Sequence, residues 1–180
     1  MKEITILGRG GQGAVTAAYV LAVAGFEDGK YTQAFPTFGV ERRGAPVKAF
    51  VRIDNTFIRT RAQIYQSDIL VVLDPTLLEV VNLSDTVKNG GTVIVNTNKK
   101  PEELGLSDYR VYAIDATKAA FDILGRDIVN TAMLGAFAAF TGEVSKESVV
   151  KAVRSQFSGE LAEKNIKLVE TIYNKAKEMI

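Results

Sequence analysis

The chain has 180 residues, with 22 Lys and Arg against 21 Asp and Glu, so its formal net charge of +1 gives it no bulk attraction for polyanions. It contains neither Cys nor His, which excludes disulfides, cysteine-ligated iron–sulfur clusters, the common zinc sites, thiolate catalysis and histidine acid–base chemistry from this chain. At 47% hydrophobic and 24% charged it has a globular composition, and at this length a core can bury roughly two thirds of the unfolded surface.

The first element is a short β-branched strand, Ile4-Thr5-Ile6-Leu7, which stops at Gly8-Arg9-Gly10-Gly11-Gln12-Gly13 and gives way to an apolar helix from Ala14. Strand, glycine turn and helix open a Rossmann-like unit. Ala14 to Gly25 and Ala132 to Phe140 are the longest nearly apolar runs. Both fall short of the ~20 residues that a membrane span needs, and the glycines arrive too early for a signal peptide. The expectation is a soluble cytoplasmic protein.

Further strands are predicted at Tyr31 to Phe35, Ile69 to Leu73, Val93 to Asn96 and Val111 to Ile114, with helix-compatible stretches between several of them. That alternation predicts a mainly parallel sheet with helices on both faces, in one domain covering residues 1–180. A β-hairpin insertion is predicted where Val47, Ala49, Val51 and Ile53 alternate with Lys48, Phe50 and Arg52, turn at Asp54-Asn55 and return through Thr56 to Arg61. Such a turn sets Lys48 opposite Arg61, Phe50 opposite Arg59 and Arg52 opposite Phe57, a face of four cations interleaved with two rings. Ala132 to Phe140, preceded by Asn130-Thr131, reads as a buried helix rich in small residues, and the tail from Lys146 as two amphipathic helices separated near Ser158-Gly159.

Two motifs can carry chemistry. The Gly8-x-Gly10-x-x-Gly13 spacing sets backbone N–H groups at a helix amino terminus, where a phosphate can sit; the same glycines also serve a tight turn and close strand–helix packing. A nicotinamide dinucleotide needs an acid at the end of the second strand, and none lies around Gln33-Ala34-Phe35: Glu27 and Asp28 come too early, and Glu41 falls in the next loop. Ala14-Val15 after Gly13 excludes the common NTPase loop. The second motif is the irregular stretch from Phe35 to Pro46, containing Glu41-Arg42-Arg43-Gly44-Ala45-Pro46. It reads either as a solvated loop with an ion pair local to Glu41 or as an anion or partner site. From Lys30 to Arg61 there are seven cations and two acids, net +5, while the other 148 residues carry 15 cations and 19 acids, net −4. A basic face suits a nucleotide's phosphates or an acidic partner; nucleic acid is disfavoured because the whole chain is not basic. Asp74 and Asp115, at strand ends, read as caps rather than as a catalytic pair.

Four stretches together resemble one family. They are Gly8 to Gly13; Gly29-Lys30-Tyr31-Thr32-Gln33-Ala34-Phe35-Pro36 running into Phe38-Gly39-Val40-Glu41-Arg42-Arg43-Gly44-Ala45-Pro46-Val47; Ile114-Asp115-Ala116-Thr117; and Asn130-Thr131-Ala132-Met133-Leu134-Gly135-Ala136. They are similar to the gamma subunit of pyruvate and related 2-oxoacid:ferredoxin oxidoreductases, with no departure in the motifs. The resemblance implies an accessory, noncatalytic chain in a multisubunit enzyme that oxidatively decarboxylates a 2-oxoacid, forms acyl-coenzyme A and reduces ferredoxin. It implies alpha, beta and ferredoxin-like delta partners that hold the thiamine diphosphate and iron–sulfur clusters. It also implies a part in binding coenzyme A, for which the candidates are Gly8, Arg9, Gly10, Gly11, Gln12, Gly13, Arg42 and Arg43. The Arg-rich loop resembles the pyruvate-type rather than the 2-oxoglutarate-type signature. A free-standing Rossmann-type nucleotide-binding oxidoreductase and a purely structural docking subunit are the alternatives.

Overall fold

The computed structural model describes residues 1–37, 39 and 42–180. Its six strands are β1 (Lys2–Arg9), β2 (Tyr31–Pro36), β3 (Pro46–Asp54), β4 (Ser67–Val72), β5 (Val87–Asn96) and β6 (Arg110–Ile114), and its five α-helices are α1 (Ala14–Glu27), α2 (Thr117–Leu124), α3 (Asn130–Thr141), α4 (Lys146–Gln156) and α5 (Gly159–Lys177). The strands form one sheet in the order β2-β3-β1-β4-β5-β6. The pairs β1/β4, β4/β5 and β5/β6 are parallel, whereas β2/β3 and β3/β1 are antiparallel.

Period-two alternation sorts the strand side chains between two cores. Ile4, Ile6, Ala49, Val51, Ile53, Ile69, Val71, Ile94 and Ile114 point to the face that carries all five α-helices. Leu7, Leu70, Val72, Val93 and Val95 point to the other face, where short 3₁₀ helices at Pro75–Glu79 and Leu83–Asp85 supply Leu77 and Leu83. Helical elements therefore cover both faces, but unequally. Among the described residues no helix is long and apolar enough to cross a membrane.

Helix α3 is buried along nearly its whole length. Gly135 is what lets it lie against α5, because a Cβ there would run into the Val169 carbonyl. At the far end of α1, the Asp28 carboxylate accepts bonds from Ser145 N–H at 2.6 Å, Ser145 Oγ at 2.7 Å and Ser148 Oγ at 2.6 Å. Ser145 in turn caps α4. Helices α4 and α5 break where the tail's pattern predicts.

The predicted hairpin is corrected. β3 has both its edges filled, by β1 and by β2, so Thr56 to Arg61 has no edge to pair with and forms no strand. Asp54 Oδ1 accepts the Thr56 N–H instead, and the following segment folds across the sheet face with Ile58 and Ile64 as buried anchors. Lys48 lies opposite Leu7, while Phe50 lies opposite Thr5 and Phe35, and Arg52 opposite Glu3 and Gln33. The antiparallel edge exists, but its hairpin is β2/β3, and the continuous face of four cations and two rings does not form. Phe38, Val40 and Glu41, with any ion pair that Glu41 makes, lie outside the described residues.

Candidate functional site

The chain leaves β1 toward β2 and β3 on one side and returns to β4 on the other, so the crevice between the carboxyl ends of β1 and β4 is the sheet's switch point. In open α/β sheets ligands bind at that point. Gln12, Leu73, Asp74, Pro75, Asn96 and Val129 line a cavity of ≈ 250 Å³ there.

The glycine turn and the Arg-rich loop, far apart in the sequence, meet at this edge. Gly10 N–H donates to the Ala45 carbonyl at 2.9 Å, and Gly44 N–H donates to the Gly10 carbonyl at 3.2 Å. A Cβ on Gly10 would collide with the Arg42 carbonyl, so this glycine admits a loop of its own chain rather than a ligand. Gly13, at φ +81°, is closed from the other side by Asn130, whose Nδ2 donates to the Gly13 carbonyl at 3.3 Å. Gly11 differs: at φ +93° it is exposed and faces open space.

Arg9 is not free to reach outward. Its Nε lies 3.2 Å from Asp74 Oδ2, its Nη1 donates to the Gly44 carbonyl at 2.9 Å, and its Nη2 donates to Thr76 Oγ1 at 2.8 Å. Gln12 works with it, accepting the Arg9 N–H at Oε1 (2.7 Å) and donating from Nε2 to Asp74 Oδ2 (2.9 Å). Asp74 therefore ties both motifs to the end of β4. Burial pushes its pKa up, but hydrogen bonds from Thr76 and Gln12 and the nearby Arg9 charge outweigh burial and hold it below the ordinary carboxylate value. Asp74 also caps the 3₁₀ turn at Thr76, and Asp115 accepts the Thr117 and Lys118 N–H groups, which is the capping role that their strand-end positions predict.

What remains available to a ligand is a set of donors. Among the described residues, the N–H groups of Gly11, Gly13 and the first three residues of α1, Ala14 to Thr16, have no hydrogen-bond partner, and no side chain caps that helix. Arg42 and Arg43 are exposed and form no ion pair among the described residues. Open N–H groups at a helix amino terminus, with the exposed Arg42 and Arg43 on the segment that meets the turn, fit an oligophosphate. A dinucleotide fits less well. β3 separates β1 from β2, and β2 ends in Pro36 without an acid for a ribose. The eight predicted residues thus divide: Gly11, Arg42 and Arg43 face outward, whereas Gly8, Arg9, Gly10, Gln12 and Gly13 build the support. The pattern of residue types did not expose Asp74 as the brace for Arg9 and Gln12; its place before Pro75, at the carboxyl end of β4, is the signal that could have.

A Rossmann-like sheet with a braced glycine turn at its switch point defines an open-sheet α/β chain. Residues 3–175 match the pyruvate ferredoxin/flavodoxin oxidoreductase family. The chain is 55% identical, over 97% of its own length and 97% of the relative's, to the pyruvate/ketoisovalerate oxidoreductases common subunit gamma of Thermococcus kodakarensis. Among solved structures it is similar to the pyruvate oxidoreductase subunit PORC of Thermotoga maritima, at TM-score 0.80 and 36% identity over 97% of both chains. It shares its fold, at TM-score 0.81 and 20% identity, with the 2-oxoglutarate:ferredoxin oxidoreductase of Magnetococcus marinus determined with 2-oxoglutarate, coenzyme A and succinyl-CoA bound, covering 100% of this chain and 32% of that one. The chain belongs to the pyruvate ferredoxin/flavodoxin oxidoreductase family, as a subunit of the gamma type, as its four motifs imply.

Proposed function

We propose that this chain is the accessory gamma subunit of a cytoplasmic enzyme that oxidatively decarboxylates a 2-oxoacid, with pyruvate the preferred substrate, forms acyl-coenzyme A and reduces ferredoxin. It assembles with alpha, beta and ferredoxin-like delta subunits, which hold the thiamine diphosphate and the clusters, and contributes phosphate contacts to a shared coenzyme A site. The observation that carries the coenzyme A reading is the meeting of the glycine turn with the Arg42 to Ala45 segment at an uncapped helix amino terminus. Gly11 and the first turn of α1 offer N–H groups to phosphate, Arg42 and Arg43 offer charge, and Asp74, Arg9 and Gln12 hold the turn in place. A gamma subunit named as common to pyruvate and ketoisovalerate oxidoreductases supports a 2-oxoacid pocket that lies in other subunits.

The test is steady-state kinetics of the assembled enzyme with Arg42→Ala and Arg43→Ala combined. The expected result is a KM for coenzyme A raised about tenfold, the loss of roughly 1.4 kcal/mol of charge-assisted contact, with the KM for the 2-oxoacid unchanged. An unchanged KM for coenzyme A leaves the chain a docking subunit. Saturable NAD(P) binding by the chain revives the dehydrogenase alternative, against which the position of β3 argues.

A further inference from the structure

The edge of the sheet farthest from β6 carries a second built feature. Tyr31, Gln33 and Phe35 of β2 share a face with Phe50 and Arg52 of β3, and Gln33, Phe35, Phe50 and Arg52 line, with Arg61 and Gln63, a cleft of ≈ 360 Å³. Arg52 forms its floor. It is 1% exposed, yet its guanidinium sits 5.3 Å from the centroid of the Phe35 ring, which itself packs on Phe50 at 5.4 Å. Nε donates to Glu3 Oε1 at 3.0 Å, Nη1 to Gln33 Oε1 at 3.4 Å and Nη2 to the Ala62 carbonyl. A guanidinium has five N–H donors, so two of them have no acceptor among the described residues, in a place where an unmet donor is costly. Above it the exposed rim is cationic and aromatic: Arg59, Arg61, and Phe57, which is 64% exposed and packs edge-on against the half-exposed Tyr31 at 5.8 Å.

We infer that this cleft is a docking site for another subunit of the oxidoreductase, one that presents a carboxylate side chain toward Arg61 at the rim and apolar groups toward Phe35, Phe57 and Tyr31. The inference rests on the gamma-subunit reading above. Charge decides the occupant. The exposed charges at this edge are Arg59 and Arg61, so a second copy docked through the same face would set cation against cation. A small free carboxylate would pair with Arg61 but leave Phe57 and Tyr31 in water, whereas a protein segment covers both.

The test uses the full enzyme, with this chain co-expressed with the remaining subunits and its incorporation followed on dilution and with added salt. Arg61→Glu and Phe57→Ser, both on exposed side chains and checked for an unchanged melting temperature, are each expected to weaken incorporation at least about tenfold. Arg61→Glu is also expected to flatten the salt dependence. Arg110→Glu, an exposed cation on β6 at the opposite edge, is the control and is expected to change nothing. Normal incorporation of both edge variants overturns the docking site while leaving the gamma assignment standing. Failure of the unmutated chain to join any subunit overturns the assignment, and the docking site with it. A homodimer of the isolated chain broken by Phe57→Ser, with incorporation unaffected, assigns the edge to a second copy and likewise overturns the inference.

Discussion

The two halves of the sheet are finished to different degrees. In the parallel half, Ile4, Ile6, Leu7, Leu70, Val71, Val72, Val93, Ile94 and Val95 are shut off from solvent under α-helices on one face and 3₁₀ turns on the other. In the antiparallel half, no residue of β2 is buried, and the face opposite α1 is covered by an irregular segment that leaves a cleft. Burial of the first kind supplies stability, while aromatic rings and cations left at an edge supply recognition. Substitutions in the first half should therefore be read by melting, and those in the second by partner or ligand affinity.

The largest effect expected is in the parallel half. Gly135→Val forces α3 away from α5, because its Cβ meets the Val169 backbone rather than a side chain able to swing aside. The expected loss is about 3 kcal/mol, or roughly a 10 °C lower melting temperature for a domain of this size, measured by calorimetry. A variant that melts like the parent would mean the α3/α5 contact is not the one described. Gly10→Val should cost less, about 2 kcal/mol, because the Arg42 to Ala45 segment it displaces is a surface loop. Its sharper signature is protease cleavage near Gly44, since the Gly10 to Ala45 and Gly44 to Gly10 bonds go with the displacement. Retention of the parent cleavage pattern would show that the loop reseats without them.

Much of the parallel half was legible from the residues, because its strands are short β-branched runs and its helices have apolar periods that nothing else competes with. The glycine turn was equally plain. In the antiparallel half the strands Tyr31 to Phe35 and Val47 to Ile53 were legible but their pairing was not, and β3 shows why. Its alternation of Val47, Ala49, Val51 and Ile53 with Lys48, Phe50 and Arg52 specifies a strand with two different faces, but not which strands flank it. Asp54-Asn55 signalled a turn, and a turn does form, yet the residues after it donate and accept through side chains instead of a ladder: Gln33 Nε2 bonds the Ile58 and Thr60 carbonyls, and Arg52 bonds that of Ala62. Such bonds join residues 10 to 27 positions apart and leave no periodic trace. Arg9 is the corresponding case at the site. The family resemblance makes it a candidate for coenzyme A, and no local pattern marks its ion pair with Asp74, 65 residues later.

The smallest effects separate the helical core from the site loop by pH. Asp28 braces α1 against α4, and Asp74 braces the glycine turn. Burial raises the pKa of each, but at Asp28 the bonds from Ser148 and Ser145, and at Asp74 those from Thr76 and Gln12, outweigh it and leave both values lowered. A carboxylate with a lowered folded pKa contributes its stability in full above its unfolded value of about 3.9 and loses it as pH falls through the folded value. Melting should therefore be flat on this account from pH 7 to about 5 and fall below about 4. Asp28→Asn should remove about 1 kcal/mol at pH 7 and blunt the acid limb, because its carboxylate joins two helices of the main core. Asp74→Asn should shift melting by less than about 1 kcal/mol. It should instead speed hydrogen exchange at Gly10 and Gly44, whose N–H bonds depend on Arg9 being held. Equal shifts in melting from the two variants would mean that the site loop and the helical core unfold together.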